Sequence, residues 1–266
     1  MVYVGTSGYS YDDWIGPFYP PDLPKSQFLT HYAERFQCVE INMTYYRIPA
    51  PRQCAAWVRR TPSDFLFAVK ANRLMTHERD NPDSLDAFPQ FREAIQPIQE
   101  AGRLGCVLLQ FPQSFGLSDA NSDHLVFVRD QLPDMPLVCE FRSAQWADDS
   151  TLGLLRQLDL GYCCVDEPSI PGLMPRVAVA TSPLGYLRFH GRNAAKWYDH
   201  EEAFERYDYL YQPHELAEWV PKVGELAAAT DHLFVFFNNH YNAQAVANAD
   251  LFMEMLVEAN LDVAGA

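Results

Sequence analysis

The stretch YLRFHGR, Tyr186 to Arg192, decides how the rest of the chain is read. Side chains alternate faces along an extended strand, so Arg188 and His190 point one way while Leu187 and Phe189 point the other. A guanidinium and an imidazole therefore share one face of a segment that otherwise reads as a buried strand. Isolated charges are expensive to bury, so acidic groups must stand opposite, from the protein or from a ligand. Two other apolar runs supply them: VEIN ends in Glu40 and Asn42, and VCEFR ends in Glu140 and Arg142. Each pair is again two residues apart, and each again lies on one face.

Working outward, further strand-like runs are Val2–Val4, Phe65–Lys70, the nearly all-apolar Gly105–Gln110, Tyr162–Asp166 and Leu233–Asn238. Together with Cys38–Asn42, Leu137–Arg142 and the opening stretch they make eight. Helical patterns stand between most of them. Ser26 caps a segment burying Phe28, Leu29 and Tyr32; Pro51 enters a second; a third runs from about Ser84 to Ala101, with Pro89 and Pro97 expected to bend or shorten it. Ser118 starts a fourth, Thr151–Leu160 forms a fifth closed by Gly161, His214–Ala228 a sixth and Ala243–Ala259 the last. The segment EPSIPGLMPRVAVATSP has too many prolines for an ordinary helix, so the helix after strand six is irregular or shortened. Eight alternating units with no linker predict one α/β domain over residues 1–266, a TIM-type (β/α)8 barrel.

The formal net charge of −15 disfavours nonspecific attraction to nucleic acid or to anionic membranes, which leaves nucleic acid an improbable though permitted partner. No charged leader precedes an apolar run, and no stretch of about 20 apolar residues occurs, so a membrane is not expected as a partner. The six cysteines, Cys38, Cys54, Cys106, Cys139, Cys163 and Cys164, show no CxxC spacing and read as buried thiols of a reducing, cytoplasmic compartment.

In a barrel of this type ligands gather at the carboxyl ends of the strands. Those ends carry Thr6, Ser7, Glu40, Asn42, Lys70, Gln110, Glu140, Arg142, Asp166, Arg188, His190, Asn238, Asn239 and His240, with Arg192 just beyond. Arginine suits bidentate recognition of carboxylate or phosphate, so Arg142, Arg188, Arg192 and Lys70 are expected to clamp a small anionic ligand. Thr6, Ser7, Asn42, Gln110, Asn239 and His240 would complete the binding set. Glu40, Glu140, Asp166 and His190 are the expected catalytic residues: cations nearby favour ionised glutamates, suited to act as bases, and His190 is the natural proton donor.

Competing readings remain open at this point. The charged residues could simply neutralise one another as a buried ion-pair layer. Glu40, Glu140, Asp166 and His190 could hold a divalent metal for a sugar or nucleic-acid enzyme, although the cations around them oppose a dication. Glu40 and Glu140 could be a glycosidase pair, which needs a raised acid that arginines disfavour. The protein could also bind a metabolite without turnover. No GxGxxG follows a strand, and no Walker loop, HExxH or GxSxG occurs, so no cofactor is implied. PLP stays open on one residue alone, since Lys70 at a strand end could form a Schiff base with it.

The motifs GTSGYSYDDWIGPFYP, VEINMTYYRIP, FAVKANRLMTH, LLQFP, CEFRSAQW, VDEP, YLRFHGR, YDYLY and FVFFNNH, in this order, resemble the YecE-like family, also called domain of unknown function 72. The resemblance spans nearly the whole chain. It implies a TIM-type barrel and carries no reaction with it. The polar positions it includes are Glu40, Asn42, Lys70, Glu140, Arg142, Asp166, Glu167, Arg188, His190 and Asn239.

Overall fold

The computed structural model describes residues 1–266, with the side chain of residue 203 left out of the description. Eight parallel strands are present: β1 (Val2–Thr6), β2 (Cys38–Ile41), β3 (Leu66–Lys70), β4 (Leu104–Gln110), β5 (Leu137–Glu140), β6 (Leu160–Asp166), β7 (Leu184–Phe189) and β8 (His232–Phe237). Each pairs with its sequence neighbour, and β8 returns to β1. Between β1 and β2 the ladder shrinks to a single bridge, Ser7 to Glu40. Here Tyr32 fills the seam: its hydroxyl accepts from Thr6 N at 2.9 Å and donates to Cys38 O at 3.1 Å. Gly5 permits the approach, because a Cβ there would lie 2.5 Å from Cys38 O. The eight-stranded barrel expected from the sequence is what the chain forms.

The helices are α1 (Phe28–Tyr32), α2 (Met43–Tyr46), α3 (Pro51–Arg59), α4 (Arg73–Thr76), α5 (Ser84–Glu100), α6 (Asp119–Gln131), α7 (Asp149–Gln157), α8 (Pro213–Ala217), α9 (Val220–Ala229) and α10 (Gln244–Glu258). No helix lies between β6 and β7, as the prolines indicated. Three expectations need correction. Pro89 and Pro97 do not shorten α5, whose Phe88, Phe91, Ile95 and Ile98 are buried and compensate for the lost hydrogen bonds. The helix before β6 stops at Gln157, since Asp159 takes the left-handed turn (φ 51°) assigned to Gly161, which instead lies inside β6. The helix after β7 is broken at Glu218 and Trp219, with Pro221 restarting it as α9.

Register fixes which side chains face the barrel axis. Arg188 sits level with Val165 and Phe236, and Gln110 with Glu140, and these rows point inward. One residue further along β7, Phe189 sits level with Asp166 and Phe237, and Phe237 with Thr6. That second row points outward, against the helices. No described helix is long and apolar enough to cross a membrane.

Candidate functional site

The inward row assembles a chain of ion pairs across the barrel. Arg188 donates from Nη2 to Glu40 Oε1 at 2.7 Å and from Nη1 to Glu140 Oε2. Glu140 Oε1 also accepts from Arg142 Nε at 2.8 Å, and Arg142 Nη1 reaches Glu167 Oε2 at 3.3 Å. Glu40 takes two more donors, Tyr186 Oη at 2.6 Å and Asn42 Nδ2 at 2.9 Å. Glu40 and Glu140 are fully buried, and Arg188 is 2% exposed. Of the five residues that could form a buried ion-pair layer, Glu40, Glu140, Arg142 and Arg188 do so, and the two glutamates fix Arg188 from both sides, while Lys70 donates to Gln110 instead.

Electrostatics follow from this packing. Burial alone would raise the Glu140 carboxyl, but Arg142, Arg188 and His190 outweigh it and hold it well below the usual range. His190 is brought down to about 3 by burial and then by Arg142, so its ring is neutral. Asn238 Nδ2 donates to His190 Nδ1 at 3.1 Å, which leaves Nε2 carrying the proton toward Glu140 Oε1, 3.1 Å away. Lys70 is brought down to about 8 by burial and by Arg188. Glu167 is pushed up to about 7 by burial, with Arg142 opposing.

Above this layer lies a cavity of ≈ 420 Å³ at the carboxyl end of the barrel. Its cations are Lys70, Arg142 and Arg188, beside His240, and no carboxylate lines it among the described residues. Tyr11, Tyr45, Tyr46 and Tyr207 supply aromatic walls. Tyr11 stacks on His240 with ring centres 4.5 Å apart. Three residues of this wall carry a buried polar atom without a protein partner among the described residues: Asn42 Oδ1, Arg188 Nε and His240 Nδ1.

Of the residues expected from the sequence, Asn42, Lys70, Gln110, Arg142, Arg188 and His240 line the cavity. Ser7, Glu40, Glu140 and His190 lie in the layer of side chains beneath, Ser7 3.4 Å from Arg188 Nη2. Thr6, Asp166, Arg192 and Asn239 are not brought to the mouth. Thr6 faces outward to Tyr32. Asp166 is buried on the helix side, accepting from Tyr211 Oη at 2.8 Å, Trp219 Nε1 at 2.7 Å and Arg192 Nη2 at 2.7 Å. Gly191 (φ +89°) breaks the alternation that would have sent Arg192 inward. Asn239 is tied to Tyr209 O and Asn248. Tyr186 and Tyr207 were missed; Tyr186 was readable, standing two residues before Arg188 on the same face.

The metal reading gains no support from this arrangement. Asp166 faces away from the glutamates, whose oxygens are occupied by guanidinium, imidazole, phenol and amide donors. Among the described residues no three His, Cys, Asp or Glu side chains are grouped as a metal would require.

An eight-stranded parallel barrel with polar groups at the carboxyl ends of its strands defines a TIM-type α/β protein. Within that class, residues 3–265 match the model described as protein of unknown function DUF72, and the chain belongs to that family. It is 32% identical over 270 residues to the UPF0759 protein YunF of Bacillus subtilis, covering 96% of this chain and 95% of that protein. The crystal structure of a DUF72 family protein from Thermotoga maritima has a TM-score of 0.89 and 41% identity over 97% of this chain and 99% of that chain. A DUF72 family protein from Enterococcus faecalis gives 0.87 and 27%, covering 98% and 96% respectively.

Proposed function

We propose that the protein is an enzyme that takes a small phosphorylated or carboxylated substrate into the barrel mouth. The observation that carries this reading is the lining of the cavity: three cations and no described carboxylate, in a chain of net charge −15. The overall charge repels a long polyanion while the local charge accepts a short one. Arg142 and Arg188 would grip the anion, with Lys70, Asn42, Gln110 and His240 around it. Glu40 and Glu140 keep Arg188 in place. Proton transfer falls to Lys70, which lines the cavity and titrates near 8, rather than to the neutral, deeply buried His190. Six buried free cysteines accord with a reducing, cytoplasmic setting.

Thermal shift with sulfate, phosphate and citrate tests the binding step. Each should raise the melting temperature in proportion to the logarithm of its concentration. Arg142→Gln should weaken the affinity about tenfold or more, the order expected for a lost charge-assisted contact. Failure of all three anions to stabilise the protein, or an unchanged affinity in Arg142→Gln, would remove the proposal.

A further inference from the structure

Lys70 is placed unlike the other cations of the mouth. It ends β3 and lines the cavity, where Nζ donates to the neutral Gln110 Oε1 at 2.9 Å and stands 4.5 Å from the centre of the Tyr45 ring. Glu40 and Glu140, the deeply buried carboxylates below, are taken by Arg188 and Arg142, and no described carboxylate pairs with Lys70. A lysine beside other cations and short of a counter-ion gives up its proton more readily than an exposed one, which makes its amine available as a nucleophile.

We propose that Lys70 forms an imine with a carbonyl-bearing small anion, a 2-oxo acid or a ketose or aldose phosphate, whose anionic group rests on Arg142 and Arg188. This deepens the anion-binding reading and rests on it. The Nζ lone pair attacks the carbonyl carbon while the C=O π pair moves to oxygen, whose developing charge faces the guanidinium groups. Nitrogen loses one proton and the oxygen gains one, giving a neutral carbinolamine. A second proton passes from nitrogen to the departing hydroxyl, the C–O bond breaks, and C=N forms with one water released. No redox partner is needed. The resulting imine, once protonated, accepts electrons from the adjacent carbon, the usual basis for C–H or C–C cleavage next to a carbonyl. Burial supports the chemistry: with Lys70 near 8, roughly 300-fold more free amine is present at pH 7 than for an ordinary lysine.

The test is reductive trapping. The protein is incubated with pyruvate or dihydroxyacetone phosphate and borohydride, then digested and mapped by mass spectrometry. Only four lysines occur, Lys25, Lys70, Lys196 and Lys222, so the modified site is unambiguous. Borohydride-dependent adduct should appear at Lys70 at least about tenfold above the other three, following its free-amine fraction. Lactate and glycerol 3-phosphate, which lack the carbonyl, serve as binding controls by thermal shift. Lys70→Arg cannot form the imine, so it should lose trapping. Stabilisation by the controls without a Lys70 adduct overturns the imine and leaves the anion site standing. Absence of both stabilisation and adduct overturns the two together.

Discussion

Glu140 and Asp166 end adjacent strands, both are fully buried, and both are held by arginine. Glu140 faces the barrel axis and bonds Arg188, Arg142 and His190, two of which belong to the cavity wall or open onto it. Asp166 faces the helices and bonds Arg192, Tyr211 and Trp219, so it ties the β7–α8 insertion and α9 to the sheet. The same ingredients thus build a cavity-facing layer on one side of the sheet and a structural clamp on the other. What separates them is strand register, not residue type.

The largest expected effect tests whether the two are alike as structure. Removing one partner from a buried ion pair leaves an uncompensated charge, so Asp166→Asn and Glu140→Gln should each lose about 3–5 kcal/mol in urea unfolding. Tyr211→Phe, on the clamp alone, should lose about 1–2 kcal/mol through one lost hydrogen bond to the buried Asp166 carboxylate and an unpaired Gly191 amide, and leave sulfate affinity unchanged. A sulfate affinity that moved with Tyr211→Phe would show the two regions coupled and break the distinction.

How far the sequence could foresee this distinction depends on the strand. In β7, β2 and β5 a charged or polar residue recurs two positions on, so the inward face announces itself in Arg188 and His190, Glu40 and Asn42, Glu140 and Arg142. In β6 the run LGYCCV is apolar on both faces because helices or neighbouring segments cover one side and the barrel interior fills the other. Such a run hides its parity, and Asp166 was therefore assigned to the mouth. Thr6 and Asn239 were misplaced for the same reason, each adjoining a residue, Ser7 or Asn238, that does point inward. Eight strands were countable because each is a separate apolar run, whereas the Tyr32 bridge across the β1–β2 seam has no local signal at all.

A smaller effect sharpens the contrast between the clamp and the cavity wall, where burial disfavours a charge. Lys70 is lowered to about 8 by burial and then Arg188, so the unfolded chain holds this proton more tightly than the folded one. Wild-type stability should therefore rise as pH goes from about 8 to about 10.5, and Lys70→Met should abolish that rise. At pH 7 the same substitution should stabilise the protein by roughly 1–3 kcal/mol while weakening anion binding. A destabilised Lys70→Met, measured by urea unfolding, would place Lys70 with the clamp.

The smallest effect separates Lys70, which lines the mouth, from Glu167, which acts on it through Arg142. Sulfate stays doubly charged across neutral and mildly basic pH, so any change in its affinity reports the protein. Arg142 and Arg188 keep their charge throughout. As pH rises through about 7, Glu167 loses its proton beside Arg142 and draws that guanidinium away from the anion. As pH rises through about 8, Lys70 loses the charge that it turns toward the cavity. Both steps weaken binding, each by about threefold if one charge partly screened by water is lost. Glu167→Gln should erase the lower step and Lys70→Met the upper, so that isothermal titration across the range resolves them in turn. A sulfate profile that kept both steps in Lys70→Met would show that another group of the mouth carries the upper one.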